Sequence, residues 1–232
     1  MTIIRGVDGR QGGSLCLSLN VKGGKPVAQL FPDAKSLFES AAGAITAIDI
    51  PIGLPADKPR RCDIDARSLL GSRRSSVFPA PDRCAVEAAS YDLACAASEE
   101  ACGKKLSKQT YALLPRIRDL DCLLRQKSDM VTTLFEVHPE VCFYYWNNQR
   151  PMRYSKHSGF GFMKRFQLVE QVFCSVAENI RQFIQPKDAF DDDILDALAA
   201  LCTAGRIRSG DAVCISTKEE QDEFGLPMQM WA

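Results

Sequence analysis

Short apolar runs near the start of the chain predict the strands of a sheet, because they are brief and bounded by turn residues. These runs are 2–8, 14–20 and 26–31. Short turns between successive strands predict an antiparallel meander. A helix is then predicted to begin at Pro32–Asp33, with Leu37, Phe38 and Ala41 on its buried face.

Two later runs, 44–50 and 132–137, are almost continuously apolar, which is typical of central parallel strands. Between them, an insertion of about 56–131 has mostly helical periodicity. The predicted helices are 63–70, 83–102, 107–125, 139–146, 161–184 and 192–208, with a loop at 71–82 and a short strand near 212–215. Strands that alternate with helices predict one α/β domain over residues 1–232.

The composition is that of a folded protein without a general affinity for nucleic acid. The chain has 232 residues, of which 46% are hydrophobic, and 29 basic residues balance 29 acidic ones. Proteins that coat nucleic acid are basic, so any such contact requires a local patch. No apolar run approaches the length of a membrane span, and residues 1–13 lack a signal-peptide core. We therefore expect a cytoplasmic protein with no membrane partner.

The ten cysteines are scattered, with no Cys-x-x-Cys pair, and the chain has only two histidines. This pattern lacks the ligand spacing of a zinc site. Cysteines in a chain without an export signal are usually reduced thiols that behave as small apolar groups. We predict that these cysteines are buried thiols.

Acidic residues stand at the ends of three predicted strands and on one late helix. Asp8, Asp49 and Glu136 end strands, and Asp193 and Asp196 share one helix face because they are three residues apart. Ligands of open α/β sheets bind at the carboxyl ends of strands. Converging carboxylates repel each other unless a cation neutralises them, and oxygen ligands suit Mg²⁺ or Mn²⁺. We predict that these five acids are the ligands of such ions, with two ions bound side by side.

A different interpretation of these acids stays open, in which each makes a separate salt bridge or a helix cap. Asp191 and Asp192 are interpreted as caps, because aspartate is favoured in the first turn of a helix. Asp196 lies too deep in its helix for capping to explain it.

Several motifs of the chain resemble a domain-of-unknown-function family described as a predicted RNase H-like nuclease. They are 6–9, 47–55, 61–63, 66–67, 70–81, 136–140 and 192–200. The resemblance extends over about 6–230 and implies an RNase H-like α/β fold. That fold is a mixed five-stranded sheet with flanking helices, here with a helical insertion after the fourth strand.

The resemblance also implies a metal site and a nuclease activity. In the RNase H-like superfamily, acids on the first strand, the fourth strand and the last helix bind divalent metal. Asp8, Asp49 and either Asp193 or Asp196 occur in that order. The run 193–199 resembles the last-helix motif of the Holliday-junction resolvases.

A basic segment follows the strand that ends at Asp49. Between Lys58 and Arg83 the chain has seven basic and three acidic residues. Arginine forks and hydroxyl groups suit phosphate. The predicted substrate-binding residues are Arg61, Arg67, Arg73, Arg74, Ser75 and Ser76. The alternative is a solvated surface on which Arg67 pairs with Asp63.

His138, two residues after Glu136, is predicted to be catalytic, either protonating a leaving group or positioning a water molecule. The alternative role is to stabilise the turn before Pro139 through a hydrogen bond. The aromatic run 143–146 is predicted to belong to the core rather than to stack on bases.

The predicted function is metal-dependent hydrolysis of phosphodiester bonds, in nucleic acid or another phosphodiester, with Mg²⁺ or Mn²⁺ as cofactor. One alternative is a nucleotide-dependent phosphotransferase, although the chain has no Gly-x-x-x-x-Gly-Lys-Ser/Thr loop. The other is a non-catalytic phosphate or nucleic-acid binding protein on the same fold. Buried carboxylates argue against it, because they are costly without a cation or partner.

Overall fold

The computed structural model describes residues 2–10, 12–40, 43–216 and 218–232. Within these residues the strands are β1 (Ile3–Arg10), β2 (Gly13–Asn20), β3 (Val27–Phe31), β4 (Ile45–Ile48) and β5 (Leu134–Glu136). They form one mixed sheet in the order β3-β2-β1-β4-β5. β2 is antiparallel to both β1 and β3, whereas β4 is parallel to β1 and β5. The predicted α/β class and the RNase H-like five-stranded arrangement are therefore confirmed.

Helices cover both faces of this sheet. They are α1 (Ala34–Glu39), α2 (Arg61–Leu70), α3 (Arg83–Val86), α4 (Tyr91–Cys102), α5 (Lys108–Gln126), α6 (Pro139–Trp146), α7 (Gly159–Val172), α8 (Val176–Phe183) and α9 (Asp191–Ser209). Two apolar clusters result: Ala47 of β4 belongs to the one that includes α9, and its neighbour Ile48 to the one that includes α5. This alternation is expected of a strand buried on both faces.

The last helix, α9, crosses the sheet at very close range over β1. A Cβ atom on Gly6 would lie 2.1 Å from the Leu201 backbone nitrogen and 2.3 Å from the Ala197 carbonyl oxygen. Only glycine therefore fits at this position. The close approach brings the first turns of α9 towards the carboxyl ends of β1 and β4, where the predicted acids lie.

The predicted insertion lies between β4 and β5 and contains α2, α3, α4 and α5. The predicted helix 83–102 is wrong as one unit, because it divides into α3 and α4. Ser90 begins α4 by accepting a hydrogen bond from the Leu93 backbone nitrogen at 3.3 Å. The predicted loop 71–82 begins with a 3₁₀ helix, Gly71–Ser76, and a second one, Ser128–Thr132, precedes β5.

The predicted long helix 161–184 is also interrupted, between α7 and α8. Ser175 adopts a left-handed conformation with φ of 58°. Its backbone nitrogen donates to the Glu170 carboxylate at 2.8 Å, instead of to a carbonyl group of a continuing helix. The turn redirects the chain, so that Ala177 and Ile180 of α8 pack into the same apolar cluster as α9.

The remaining differences are at element ends. α1 buries Leu37 and ends at Glu39, and Ala41 of its predicted face lies outside the described residues. The predicted strand near 212–215 is reduced to a single bridge between Cys214 and Trp231. In the described part of the chain, no helix is long and apolar enough to cross a membrane.

The aromatic run 143–146 packs in or against the core, as predicted. The cysteine prediction is correct only in part. All ten thiols are free, but four are buried and two are exposed. The buried ones are Cys16, Cys62, Cys95 and Cys142, and the exposed ones are Cys84 and Cys174.

Candidate metal and phosphate site

Four of the predicted acids converge where β1, β4 and α9 meet. Asp8 lies near the carboxyl end of β1, and Asp49 directly follows β4, where its backbone nitrogen donates to the Val7 carbonyl group at 3.0 Å. Asp196 faces them from the second turn of α9, and Asp193 from the first. Asp8 is 5% exposed and Asp196 is 4% exposed. We call these four residues the Asp8 cluster.

The carboxylates of the Asp8 cluster interact strongly. Burial raises the pKa of Asp8 well above its usual value, and the charges of Asp196, Asp49 and Asp193 raise it further. Burial also raises the pKa of Asp196 to about 6, although Lys156 opposes the shift. Burial also raises the pKa of Asp49, although the charges of Lys156 and Arg116 reduce the shift. The cluster therefore carries more negative charge than its surroundings neutralise.

Lys156, which the sequence analysis missed, supplies part of the missing positive charge. It lies between α6 and α7, and its Nζ is 2.6 Å from Asp196 Oδ2 and 3.3 Å from Asp192 Oδ2. Burial alone would lower the pKa of Lys156, but Asp196, with help from Asp8, raises it. No motif surrounds this lysine, so only its position in three dimensions indicates a role.

Asp191 and Asp192 lie in the first turn of α9, as the capping interpretation requires, but the hydrogen bond that caps the helix comes from Asp193. The Asp193 carboxylate accepts a hydrogen bond from the backbone nitrogen of the N-cap residue Phe190 at 2.7 Å. Asp192 contacts Lys156, and Asp191 forms an ion pair with Arg181 at 2.7 Å. Asp193 therefore already has a structural role, whereas the carboxylate of Asp196 is directed at Asp8 and Asp49.

Glu136 does not join the aspartates but pairs with Arg60. Its two carboxylate oxygens each lie 2.7 Å from a guanidinium nitrogen of Arg60, and Oε2 also accepts from the Ile52 backbone nitrogen at 2.6 Å. Arg60 also contacts Asp63 at 2.6 Å. Both Arg60 and Asp63 are 1% exposed. We call Arg60, Asp63 and Glu136 the Arg60 cluster.

Cys62 lies beside the Arg60 cluster, and its sulfur atom and one oxygen each from Asp63 and Glu136 lie within 4.8 Å of one another. This buried group can hold a metal ion, and among the described residues it is the one set of three with that spacing. However, Arg60 already neutralises both carboxylates, and burial raises the pKa of the Cys62 thiol far above its usual range. A metal ion there would have to displace the guanidinium group of Arg60 from its hydrogen bonds and the proton from the thiol of Cys62.

His138 is engaged through both ring nitrogens. Nδ1 accepts from the Glu140 backbone nitrogen at 3.2 Å, which caps α6, and Nε2 lies 3.1 Å from the Ser76 carbonyl oxygen. Since Nδ1 accepts, Nε2 carries the proton and donates it to Ser76. This geometry favours the turn-stabilising role that the sequence analysis left open, with His138 holding the wall of the site.

Only some of the predicted substrate-binding residues of the basic segment lie at the cavity. Arg61 pairs with Asp65, and Arg67 donates to the Arg74 carbonyl group at 3.0 Å. The suggested pair of Arg67 with Asp63 is wrong, because Asp63 pairs with Arg60. Arg73, Ser75 and Ser76 line the cavity at the Asp8 cluster, whereas Arg61, Arg67 and Arg74 do not. Arg73 contacts Glu140 at 3.2 Å and Ser76 Oγ at 3.1 Å.

A cavity of about 490 Å³ opens beside Asp49 and Asp196. Its wall carries both charge signs: besides these acids it includes the cations Arg73, Arg116 and Lys156. A volume in this range suits a small-molecule ligand. Arg116, which comes from α5, also escaped the sequence analysis, because nothing in a helical periodicity marks one surface arginine among several.

The fold and the site together define an α/β protein with a charged cavity at the carboxyl ends of its parallel strands. The chain belongs to the protein family of unknown function DUF429, whose model matches residues 6–221. No curated protein and no solved structure matches the chain.

Proposed function

We propose that this protein hydrolyses phosphodiester bonds with the help of a divalent metal ion held by the Asp8 cluster. The observation that carries the proposal is the convergence of the buried Asp8 and Asp196 and the half-buried Asp49 near the ammonium group of Lys156. Clustered carboxylates without a matching cation repel each other, so the site favours a further cation. Carboxylate oxygens are the ligands that Mg²⁺ and Mn²⁺ prefer.

Asp8, Asp49 and Asp196 are the proposed ligands. When bound, such an ion polarises a phosphoryl oxygen and lowers the pKa of a water molecule. Asp193 acts on the site through its charge, because its carboxylate caps α9. Glu136 keeps Arg60 and the Ile52 backbone in place at the edge of the cavity. His138 holds the Ser76 segment against the same cavity.

The proposed substrate is nucleic acid or a smaller phosphodiester. Its phosphate would enter the cavity between the acids and the cations of the wall, since a phosphate anion needs positive partners near the acids. This wall supports hydrolysis over a purely structural role for the acids, because it adds a binding surface to the candidate metal site.

The variant Asp8→Asn tests the proposal. In the wild type, Mn²⁺ at one hundred times its dissociation constant should increase the free energy of unfolding by about 2.7 kcal/mol. Asp8→Asn should lose this increase and should lower the rate of bis(p-nitrophenyl) phosphate or oligonucleotide cleavage at least about 100-fold. Thermal unfolding with and without Mn²⁺, together with the cleavage assay, measures both effects.

Asp119→Asn is the matched control, since Asp119 is exposed on α5. It should behave as the wild type in both assays. If Mn²⁺ stabilises wild type and Asp8→Asn equally, the Asp8 cluster is not the metal site. If Mn²⁺ binding depends on Asp8 but no phosphodiester is cleaved, the non-catalytic binding protein replaces the hydrolase.

A further inference from the structure

Arg116 differs from the other cations that line the cavity, because no carboxylate neutralises it. Among the described residues, Arg60 pairs with Glu136, Arg73 with Glu140 and Lys156 with Asp196. Arg116 forms no ion pair in this part of the chain, and its Nη1 donates a hydrogen bond to the Arg10 carbonyl group at 3.2 Å. A guanidinium group presents five donors in a rigid fork. Most of the donors of Arg116 are therefore available to a ligand.

Arg116 lies near the proposed reacting end of the site. It lies on the wall of the cavity together with Asp49, and its charge lowers the pKa of that carboxyl group. Gly9, the residue after Asp8, leaves the space that the guanidinium group occupies. A Cβ atom on Gly9 would lie 2.5 Å from Arg116 Nη1.

The rest of the cavity provides for the organic part of a ligand. Phe78, which is 45% exposed, Leu113 and Ile117 line the same space as Arg116. A cavity of about 490 Å³ accommodates more than a phosphate ion and is within the range of small-molecule sites.

We infer that Arg116 binds the phosphate of a nucleotide-sized phosphate ester in this cavity, with the organic group against Phe78 and Leu113. This inference rests on the proposed hydrolase and adds its substrate-binding group. It assigns phosphate recognition to the helical insertion through α5, in addition to Arg73, Ser75 and Ser76 of the basic segment.

Calorimetric titration with thymidine 5′-monophosphate and with inorganic phosphate, each in EDTA and in Mn²⁺, tests the inference. Arg116→Gln should weaken nucleotide binding about 10- to 100-fold in whichever condition the wild type binds. Arg116→Lys, which keeps the charge but not the fork, should recover part of the loss. Lys108→Gln, an exposed charge on the same helix, should bind as the wild type.

Gly9→Ala provides an independent route to the same result, because its Cβ atom would displace the Arg116 guanidinium group without removing a charge. It should weaken nucleotide binding in the same direction as Arg116→Gln but to a smaller extent, because the end of a flexible side chain can shift away from the new Cβ atom. The nucleotide should also bind more tightly than inorganic phosphate, since only the nucleotide contacts the apolar wall.

Three results would overturn the inference: no nucleotide binding by the wild type in either condition, unchanged binding by Arg116→Gln, or equal affinity for nucleotide and inorganic phosphate. Failure of the hydrolase proposal is distinguishable. Arginine-dependent nucleotide binding without any Mn²⁺ binding or cleavage would support a phosphate-ester binding site and reject the metal-dependent hydrolase.

Discussion

The Arg60 cluster and the Asp8 cluster both contribute residues to the wall of one cavity, and they differ in how their charges are neutralised. In the Arg60 cluster, one guanidinium group donates to both carboxylates and to the Ile52 carbonyl group. In the Asp8 cluster, Lys156 contacts Asp196, and its charge opposes the raised pKa values of Asp8 and Asp49 without cancelling them. Asp8 and Asp196 are as closed to solvent as Asp63 and Glu136, whereas Asp49 and Asp193 are half-buried, so the burial of Asp8 and Asp196 does not explain the difference.

The difference separates a structural ion pair from a candidate binding site. A buried charge that is paired and hydrogen-bonded on all sides needs no ligand, and removing one partner is costly. A buried cluster with excess charge of one sign is itself destabilising and becomes favourable when a counter-ion binds. We therefore expect substitutions in the Arg60 cluster to change stability and substitutions in the Asp8 cluster to change ligand binding.

The largest expected effect is the loss of stability in Arg60→Met. Removing the guanidinium group leaves Asp63 and Glu136 buried without a counter-charge, which costs about 3–5 kcal/mol. Urea unfolding in EDTA at neutral pH measures the change in the free energy of unfolding. The Mn²⁺ affinity of the folded variant should remain that of the wild type.

Arg61→Met is the matched control, because Arg61 is 41% exposed in its pair with Asp65. It should lower the free energy of unfolding by less than about 1 kcal/mol. A loss below about 1 kcal/mol in Arg60→Met would show that the Arg60 cluster is not the structural pair described above. Tighter Mn²⁺ binding in Arg60→Met than in the wild type would indicate that the ion binds at Cys62, Asp63 and Glu136, because the guanidinium group that competes for these carboxylates is then absent.

The second prediction concerns the pH dependence of stability without metal. The pKa of Asp196 is about 6 in the folded protein, and an unfolded aspartate has a pKa of about 4. The folded state therefore binds more protons than the unfolded state in this window. The contribution of Asp196 to the free energy of unfolding is therefore fully present below pH about 4. It is lost as the pH rises through about 6, and the total loss is about 3 kcal/mol.

Urea unfolding of the wild type and Asp196→Asn in EDTA, from pH 4 to about 7, measures this contribution. The difference between the two curves removes the titration of groups distant from Asp196 and leaves that of Asp196 together with its effect on Asp8. The wild type should lose stability relative to the variant as the pH rises. A constant difference, or one of opposite sign, would mean that Asp196 is not destabilised by burial among like charges.

The sequence predicts the acids of this site better than their cations. Asp8 and Asp49 end parallel strands and must meet at one edge of the sheet, and helical spacing adds Asp196. Glu136 has the same pattern at the end of β5, yet it pairs with Arg60, which lies 76 residues earlier. Strand periodicity places a side chain at an edge, but a partner from a distant segment decides its role.

Lys156 and Arg116 illustrate the same limit. One lies between two helices and the other on α5, and only the folding of both segments over the carboxyl edge of the sheet brings them to Asp49. The arginines that the sequence predicts at the site all follow Asp49 closely along the chain. Of these, only Arg73 reaches the cavity, because Arg61 and Arg67 are used within α2 and the adjacent 3₁₀ segment.

The smallest expected effect is on metal affinity in Lys156→Met, and it tests whether the ammonium group competes with the ion. Lys156 contacts Asp196, one of the proposed ligands, and its charge repels an incoming cation. Its removal should tighten Mn²⁺ binding about tenfold, or about 1.4 kcal/mol, in a calorimetric titration. Lys164→Met, an exposed lysine of α7, should leave the affinity unchanged. Weaker Mn²⁺ binding in Lys156→Met would instead mean that the lysine holds the carboxylates in position, and that the Asp8 cluster resembles the Arg60 cluster more closely than its charge balance indicates.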